Sequence, residues 1–251
     1  MKYINLIKYI NENKIQKINK KEIFDIYEKI YKNTNIRSFE NMITYLKTNN
    51  IISEIEKDKY IVITKQIYNY SETKEEKNIY NLINKNYPDI NFIVWNTSKI
   101  NEFTLHYAVN NYIVVEVEKI VIDLIVNLLK ENYFKKYTII LQEILNNNRD
   151  LFLNYENFII VKPLHIKSPL KKIENRKYIS IEKIMVDLYV DKLYIQYQGK
   201  ELQTIYQNIF EKYDLNLKKL FKYAKFRTDI SKFKKFINNL DIPEKYKLEE
   251  E

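Results

Sequence analysis

The sequence predicts a mixed α/β (α+β) protein, in which an N-terminal winged helix-turn-helix is followed by an α/β domain with a helical C-terminal end. Three segments with helical apolar spacing precede two strand-like runs in the first 66 residues, and strands then alternate with helices. The chain has 251 residues, of which 45% are hydrophobic, so it can fill two cores of ordinary size. We therefore predict a first domain at 1–66, a linker at 67–78 and a second domain at 79–251.

The three predicted helices of the first domain each carry an apolar stripe. Positions i, i+3, i+4 and i+7 are apolar in each, as in a helix with one buried face. Asn19 and Ser38 stand where the second and third helices need N-terminal caps, and Asn49 and Asn50 suit the end of the third. The stripes are Tyr3, Leu6, Ile7 and Ile10; Ile23, Ile26, Tyr27 and Ile30; and Phe39, Met42, Ile43 and Leu46.

A short hairpin is predicted after the third helix. The runs "IISEIE" at 51–56 and "KYIVIT" at 59–64 lean towards β-structure, and Lys57 and Asp58 join them. Three helices followed by such a hairpin form a winged helix-turn-helix, a fold that can place one helix in a DNA groove.

The third helix has a polar face opposite its apolar stripe, because each residue advances about 100° around a helix. Arg, Asn and Thr side chains can hydrogen-bond base edges or phosphates, and lysines at a hairpin tip can contact the DNA backbone. Any solvated helix face has a similar composition, so the prediction depends on the agreement of this face with the helix order and the hairpin. We predict promoter DNA as a partner, contacted by Arg37, Asn41, Thr44, Thr48, Lys57 and Lys59.

Strands and helices alternate in the second domain. Runs that lean towards β-structure predict strands at 91–95, 111–118, 138–142 and 157–163. Helical patterns predict helices at 119–132, 181–192 and 200–213, and two basic helices between 215 and 239.

Composition excludes several classes of function. A single glycine excludes the glycine-rich phosphate loops of P-loop and dinucleotide-binding proteins. The absence of cysteine, together with two distant histidines, His106 and His165, excludes disulfides and structural zinc. The longest apolar run, 120–129, is too short to span a membrane, so we expect a cytoplasmic protein with no membrane partner and no cofactor. The net charge of +9 favours a polyanionic partner.

Carboxylates near one predicted strand offer an alternative function. Nucleases with a restriction-endonuclease-like core hold magnesium with an Asp and an acid-x-acid or acid-x-Lys strand. Asp89 precedes the strand "VEVE", in which Glu116 and Glu118 share one face, whereas Lys119 points to the other. Carboxylates at a strand end beside a helix start are also common in structural roles. We therefore expect no enzyme and keep the magnesium-dependent nuclease as an alternative.

Two further charged segments lie near the C-terminal end. Ser180 suits an N-cap, and Lys183 and Asp187 have the spacing of an i, i+4 ion pair worth about 0.2–0.5 kcal/mol. A basic segment with interleaved aromatic residues could bind phosphate or an acidic protein, or could be a solvated helix face. This predicted basic C-terminal patch consists of Lys218, Lys219, Lys222, Lys225 and Arg227.

The order of several short phrases in the second domain resembles the AbiEi family, the antitoxin component of bacterial type IV abortive-infection toxin-antitoxin pairs. The phrases are "FIVWNTSKINEFTLH", "YIVVEVEK", "IIVKPLHIKSP", "SIEKIMVDLYVD", "YQGKELQTIYQNIFEKYDLN" and "LFKYAKFR". In that family a helix with an acidic and basic pair followed by Asp recurs, and Glu182, Lys183 and Asp187 match it. The resemblance implies an autorepressor that binds repeats in its own promoter and counteracts a nucleotidyltransferase toxin encoded beside it.

A plasmid replication initiator is the remaining alternative. Such proteins also use winged helices, usually two similar ones, and the sequence contains no visible second copy. A neighbouring nucleotidyltransferase gene would favour the antitoxin, and a neighbouring replication origin would favour the initiator.

Overall fold

The computed structural model describes residues 2–32, 35–105, 111–147 and 157–247. The predicted fold class is confirmed, since helices dominate the N-terminal region, a mixed sheet follows, and the C-terminal end is helical. Across the described ranges, no helix combines the length and the apolar character needed to cross a bilayer.

Three helices and three short strands form the N-terminal unit. They are α1 (Ile4–Glu12), β1 (Lys17–Asn19), α2 (Lys20–Tyr31), α3 (Ile36–Thr48), β2 (Ile52–Glu56) and β3 (Lys59–Val62). The predicted hairpin is confirmed as β2 and β3, which pair antiparallel. The sheet order is β1-β3-β2, and β1 was not predicted because three residues are too few to show a periodicity.

The apolar stripes of the three helices meet in one core with the inner residues of the sheet. Asn19 and Glu22 form a reciprocal capping box at the start of α2, as expected for the predicted cap. The predicted cap of α3 is wrong. Asn35 is the capping residue, and its Oδ1 accepts a hydrogen bond from the Ser38 N–H at 3.0 Å. Helix α3 therefore begins at Ile36, three residues earlier than a Ser38 cap would place it.

A four-stranded mixed sheet organises the second part of the chain, and all four strands were predicted. They are β4 (Phe92–Asn96), β5 (Ile113–Val117), β6 (Thr138–Leu141) and β7 (Phe158–Pro163). The order is β4-β5-β7-β6, in which only β4 and β5 pair antiparallel. Both faces of the sheet are buried, so its strands read as continuous apolar runs rather than alternating ones.

Helices cover the two faces of this sheet. They are α4 (Lys74–Asn86), α5 (Ile122–Tyr133), α6 (Gln142–Asn147), α7 (Ile181–Val190), α8 (Lys200–Lys212), α9 (Leu217–Arg227) and α10 (Ile230–Asn238). Helices α4 and α5 share a core with one face, and α7 to α10 share a larger core with the other. A hairpin of β8 (Leu170–Ile173) and β9 (Arg176–Ile179) precedes α7. The sequence prediction missed α4, α6 and this hairpin, and α4 begins inside the predicted linker.

The segment between β3 and α4 packs into the protein. Tyr68 and Tyr70 are buried in the larger core. The Asp214 carboxylate accepts hydrogen bonds from the backbone N–H groups of Thr64 and Lys65, just after β3. The N-terminal unit is therefore held against the C-terminal helices by backbone contacts and by apolar burial.

Candidate DNA-binding surface and a buried charge cluster

The polar face of α3 is exposed. Arg37, Asn41, Thr44 and Thr48 all lie on the solvent side, opposite the four buried residues of the stripe. The Thr44 hydroxyl donates to the Glu40 carbonyl at 2.9 Å, and the Thr48 hydroxyl donates to the Thr44 carbonyl at 2.8 Å. Each hydroxyl oxygen still has lone pairs that can accept a hydrogen bond from a base.

The wing is the β2–β3 hairpin, and its charges are mixed. Lys57 is exposed in the turn. Lys59, however, lies 3.4 Å from Glu56. Nearby, Lys20 lies 2.7 Å from Glu40 and 3.7 Å from Asp58. Carboxylates thus partly neutralise Lys20 and Lys59. Lys57 is therefore the wing lysine better placed to contact a DNA phosphate.

The predicted basic C-terminal patch needs one correction. Lys218, Lys219, Lys222 and Lys225 are exposed on α9. Arg227 instead turns inward: its side chain is 11% exposed, and its Nη1 donates to Asp187 Oδ1 at 2.7 Å. The solvent-facing patch therefore consists of the four lysines.

Helix α9 starts beside the N-terminal unit. Its first lysine, Lys218, lies 2.9 Å from Glu54 Oε2 on β2. Lys47 of α3 lies 2.9 Å from the same carboxylate oxygen. One acidic side chain thus joins the end of α3 to the start of α9, so the two basic elements are neighbours.

The three carboxylates of the nuclease alternative are not assembled into a site. Glu116 is fully buried and ion-paired to Lys183, whereas Asp89 and Glu118 are exposed. Strand β5 ends at Val117, so Glu118 lies beyond it and not on the predicted strand face. No three His, Cys, Asp or Glu side chains are grouped to hold a metal ion in the described ranges, which do not include His106.

Glu116 belongs to a cluster of charged side chains that the fold buries on one face of the sheet. Its carboxylate accepts from Lys183 Nζ at 2.9 Å and from the indole N–H of Trp95 at 3.0 Å. Lys183 also donates to Asp187, one turn further along α7. The cluster consists of Glu116, Lys162, Lys183, Asp187, Asp191 and Arg227.

The remaining contacts join β7 and α9 to the C-terminal end of α7. Lys162 of β7 donates to Asp191 at 2.7 Å and lies 4.0 Å from Asp187 Oδ2. The Tyr223 hydroxyl of α9 donates to Asp187 Oδ1 at 2.9 Å, beside the Arg227 guanidinium. Three cations and three carboxylates therefore balance within the cluster, which is the condition for burying charges at tolerable cost.

Burial acts against the charges of Asp187, Lys183 and Lys162, and the opposite charges around them outweigh it. Burial raises the pKa of Asp187, but Lys183, Lys162 and Arg227 together hold that pKa well below its ordinary value. Burial lowers the pKa of Lys183 and Lys162, yet the neighbouring carboxylates leave both above the ordinary lysine pKa. Asp187 and both lysines are therefore ionised at neutral pH. Because an ionised, buried lysine is neither accessible nor nucleophilic, the cluster suits positioning of β5, β7, α7 and α9 rather than catalysis.

Sequence reasoning found only part of this cluster. Lys183 and Asp187 were expected to form a weak helical pair, and the structure shows them buried instead. Lys162 was missed, although a lysine at the end of the apolar run "FIIV" is a recognisable signal of a buried ion pair. Asp191 and Arg227 had no such signal, because their partners lie far away in the sequence.

Residues 38–242 match a family of unknown function (DUF6577), and the chain belongs to this family. The matched region contains most of α3, the wing, the four-stranded sheet and the buried charge cluster. None of the curated proteins compared with the chain matches it.

Proposed function

We propose that this protein is a sequence-specific DNA-binding repressor of its own promoter. The observation that carries the proposal is the exposed row of Arg37, Asn41, Thr44 and Thr48 on the third helix of a winged-helix unit. Residues 1–66 contain thirteen Lys or Arg and eight Asp or Glu residues, so the unit bears a positive charge that attracts a polyanion.

We further propose that the protein is the antitoxin of a type IV toxin-antitoxin pair and opposes a nucleotidyltransferase toxin. The ordered phrases that resemble the AbiEi family support this step. Two of the three matched motif residues, Lys183 and Asp187, lie in the buried cluster. Their proposed role is therefore to maintain the second domain, and toxin contact would fall to surface residues.

The DNA proposal predicts separate roles for α3 and for the wing. Binding of full-length protein to a labelled duplex from its own upstream region is measured by fluorescence anisotropy across a salt series. Asn41→Ala or Thr44→Ala should cost about 1–3 kcal/mol on the promoter and little on scrambled DNA. Lys57→Ala should weaken binding to both duplexes alike and reduce the salt slope by about one counterion.

Lys130→Ala serves as the control, because Lys130 is an exposed lysine on α5 in the second domain. It should leave both the affinity and the salt slope unchanged. Equal affinity of the wild type for promoter and scrambled DNA at physiological salt would refute sequence-specific repression. The antitoxin step is tested by co-expressing the chain with a neighbouring nucleotidyltransferase, where failure to restore growth would refute it.

A further inference from the structure

A cleft of about 360 Å³ lies where the N-terminal unit meets the rest of the protein. Residues of β2, the β8–β9 hairpin and the starts of α7 and α9 line it. Its volume is at the lower end of the range typical of small-molecule sites, which is about 300–1,000 Å³. The four exposed polar residues of α3 assigned to DNA do not line it, so the cleft is separate from the proposed DNA surface.

Two helices begin at this cleft. The N-caps Ser180 of α7 and Asn216 of α9 both line it, together with the residues that follow them. The first N–H groups of a helix have no intrahelical acceptor, and the helix dipole adds partial positive charge there. The two helix starts are adjacent, since the Asn216 N–H donates to Glu182 Oε1 at 3.0 Å. Such a pair of N-termini favours an anionic group.

A buried hydroxyl without a partner belongs to the lining of the same cleft. Ser53 is 8% exposed, and its Oγ has no hydrogen-bond partner among the described residues. It stands directly across from Ile61 in the β2–β3 register. Directly paired residues point to the same side of a sheet, and Ile61 is buried in the core of the second domain. Ser53 therefore faces the cleft, and a ligand atom there would satisfy it.

The cleft also has an excess of cations over carboxylates, because four lysines and three acidic residues line it. The carboxylates are already engaged: Glu54 by two lysines, Glu182 by a backbone N–H, and Asp214 by Lys245. Glu54 thus occupies the position of an internal anion between Lys47 and Lys218. The four lysines are Lys47, Lys171, Lys218 and Lys219.

We propose that this cleft binds the phosphate group of a small phosphate-bearing molecule. The two helix starts and the lysines would hold the phosphate, Ser53 would donate a hydrogen bond, and Ile63, Ile67 and Tyr68 would contact the organic part. A phosphate would compete with Glu54 for Lys47 at the end of α3. Any effect of the ligand on promoter affinity rests on the proposed DNA-binding function, whereas ligand binding itself does not.

The test is calorimetric titration of the full chain with inorganic phosphate and with adenosine monophosphate in a chloride buffer. Both should bind saturably. The double variant Ser53→Ala/Lys219→Ala should weaken both about tenfold, which corresponds to about 1.4 kcal/mol. Glu54→Gln should strengthen binding, because it releases Lys47 and Lys218 from their internal anion. General damage to the fold would weaken phosphate binding, so a gain in affinity in Glu54→Gln cannot come from such damage.

Lys130→Ala is the control, because Lys130 is exposed on α5 and does not line the cleft. It should bind both probes like the wild type. Failure of either probe to saturate, or unchanged affinity in both the double variant and Glu54→Gln, would overturn the proposal. Strict competition between phosphate and duplex DNA, with no complex that contains both, would assign the cleft to the DNA backbone and would overturn it as a small-molecule site. None of these readouts requires the promoter to be recognised.

Discussion

Replacing Lys183 by methionine should destabilise the protein by about 3–5 kcal/mol, the usual cost of removing one partner from a buried ion pair. Lys183 Nζ lies 2.8 Å from Glu116 Oε2 and also pairs with Asp187. The three side chains are at most 1% exposed, so water cannot replace the lost cation. Methionine keeps much of the length of lysine, so the main effect is the loss of charge and not a cavity.

Removal of the Lys183 charge affects the Asp187 and Glu116 carboxylates unequally. Asp187 keeps Arg227 at 2.7 Å and Lys162 at 4.0 Å. Glu116 keeps the indole N–H of Trp95 at 3.0 Å, which is a neutral donor, and the more distant charge of Lys162, whose ion pairs are with Asp187 and Asp191. The cost should therefore come mainly from Glu116, and a second change, Glu116→Gln, should recover part of it by removing the unpaired charge.

Urea denaturation provides the measurement. Trp95 is the single tryptophan and is 1% exposed, so its fluorescence reports unfolding of the region around the cluster. Lys8→Met is the control, because Lys8 lies 3.6 Å from Glu12 in an exposed pair and should change stability by about 0.5 kcal/mol or less. A stabilising role of the buried ion pair is ruled out if Lys183→Met remains within about 1 kcal/mol of the wild type at an unchanged m-value, or if Glu116→Gln adds a further loss of stability.

Three further predictions concern pH, capping and the contact between the two parts of the chain. Asp187 has a depressed pKa in the folded protein, so its stabilisation is present above the unfolded pKa of about 3.9 and should fade as the pH falls below about 4. The urea midpoint should fall more steeply there in the wild type than in Asp187→Asn, and parallel pH curves would contradict this. Asn35→Ala should cost about 1 kcal/mol in urea melts, whereas Ser38→Ala should stay within about 0.5 kcal/mol, because Asn35 holds the cap. Asp214→Asn should speed proteolysis within residues 63–73, because Asp214 binds the backbone there and pairs with Lys245; an unchanged cleavage rate would argue against that role.

The elements whose signals are local could be predicted from the sequence alone. Apolar residues at helical spacing predicted α1, α2 and α3, and β-branched runs predicted β2 to β7. Burial of one face leaves apolar residues at a regular spacing, and burial of both faces leaves a continuous apolar run. The polar face of α3 followed from the same periodicity. The elements missed were short or polar. Strand β1 has three residues, and the many charged residues of α4 hid its few buried apolar positions.

Which charged side chains face water and which are buried depends on how the elements pack together. Lys222 and Arg227 lie five residues apart on one basic helix, yet Lys222 is exposed and Arg227 reaches Asp187. Nothing local distinguishes them, because the burial of Arg227 depends on a carboxylate 40 positions away in the sequence. The cleft beside Ser53 has the same origin, since its walls come from segments that are distant in the chain. The spacing of apolar residues shows which face of a single element is buried. Charge pairs and cavities depend instead on which elements pack against each other.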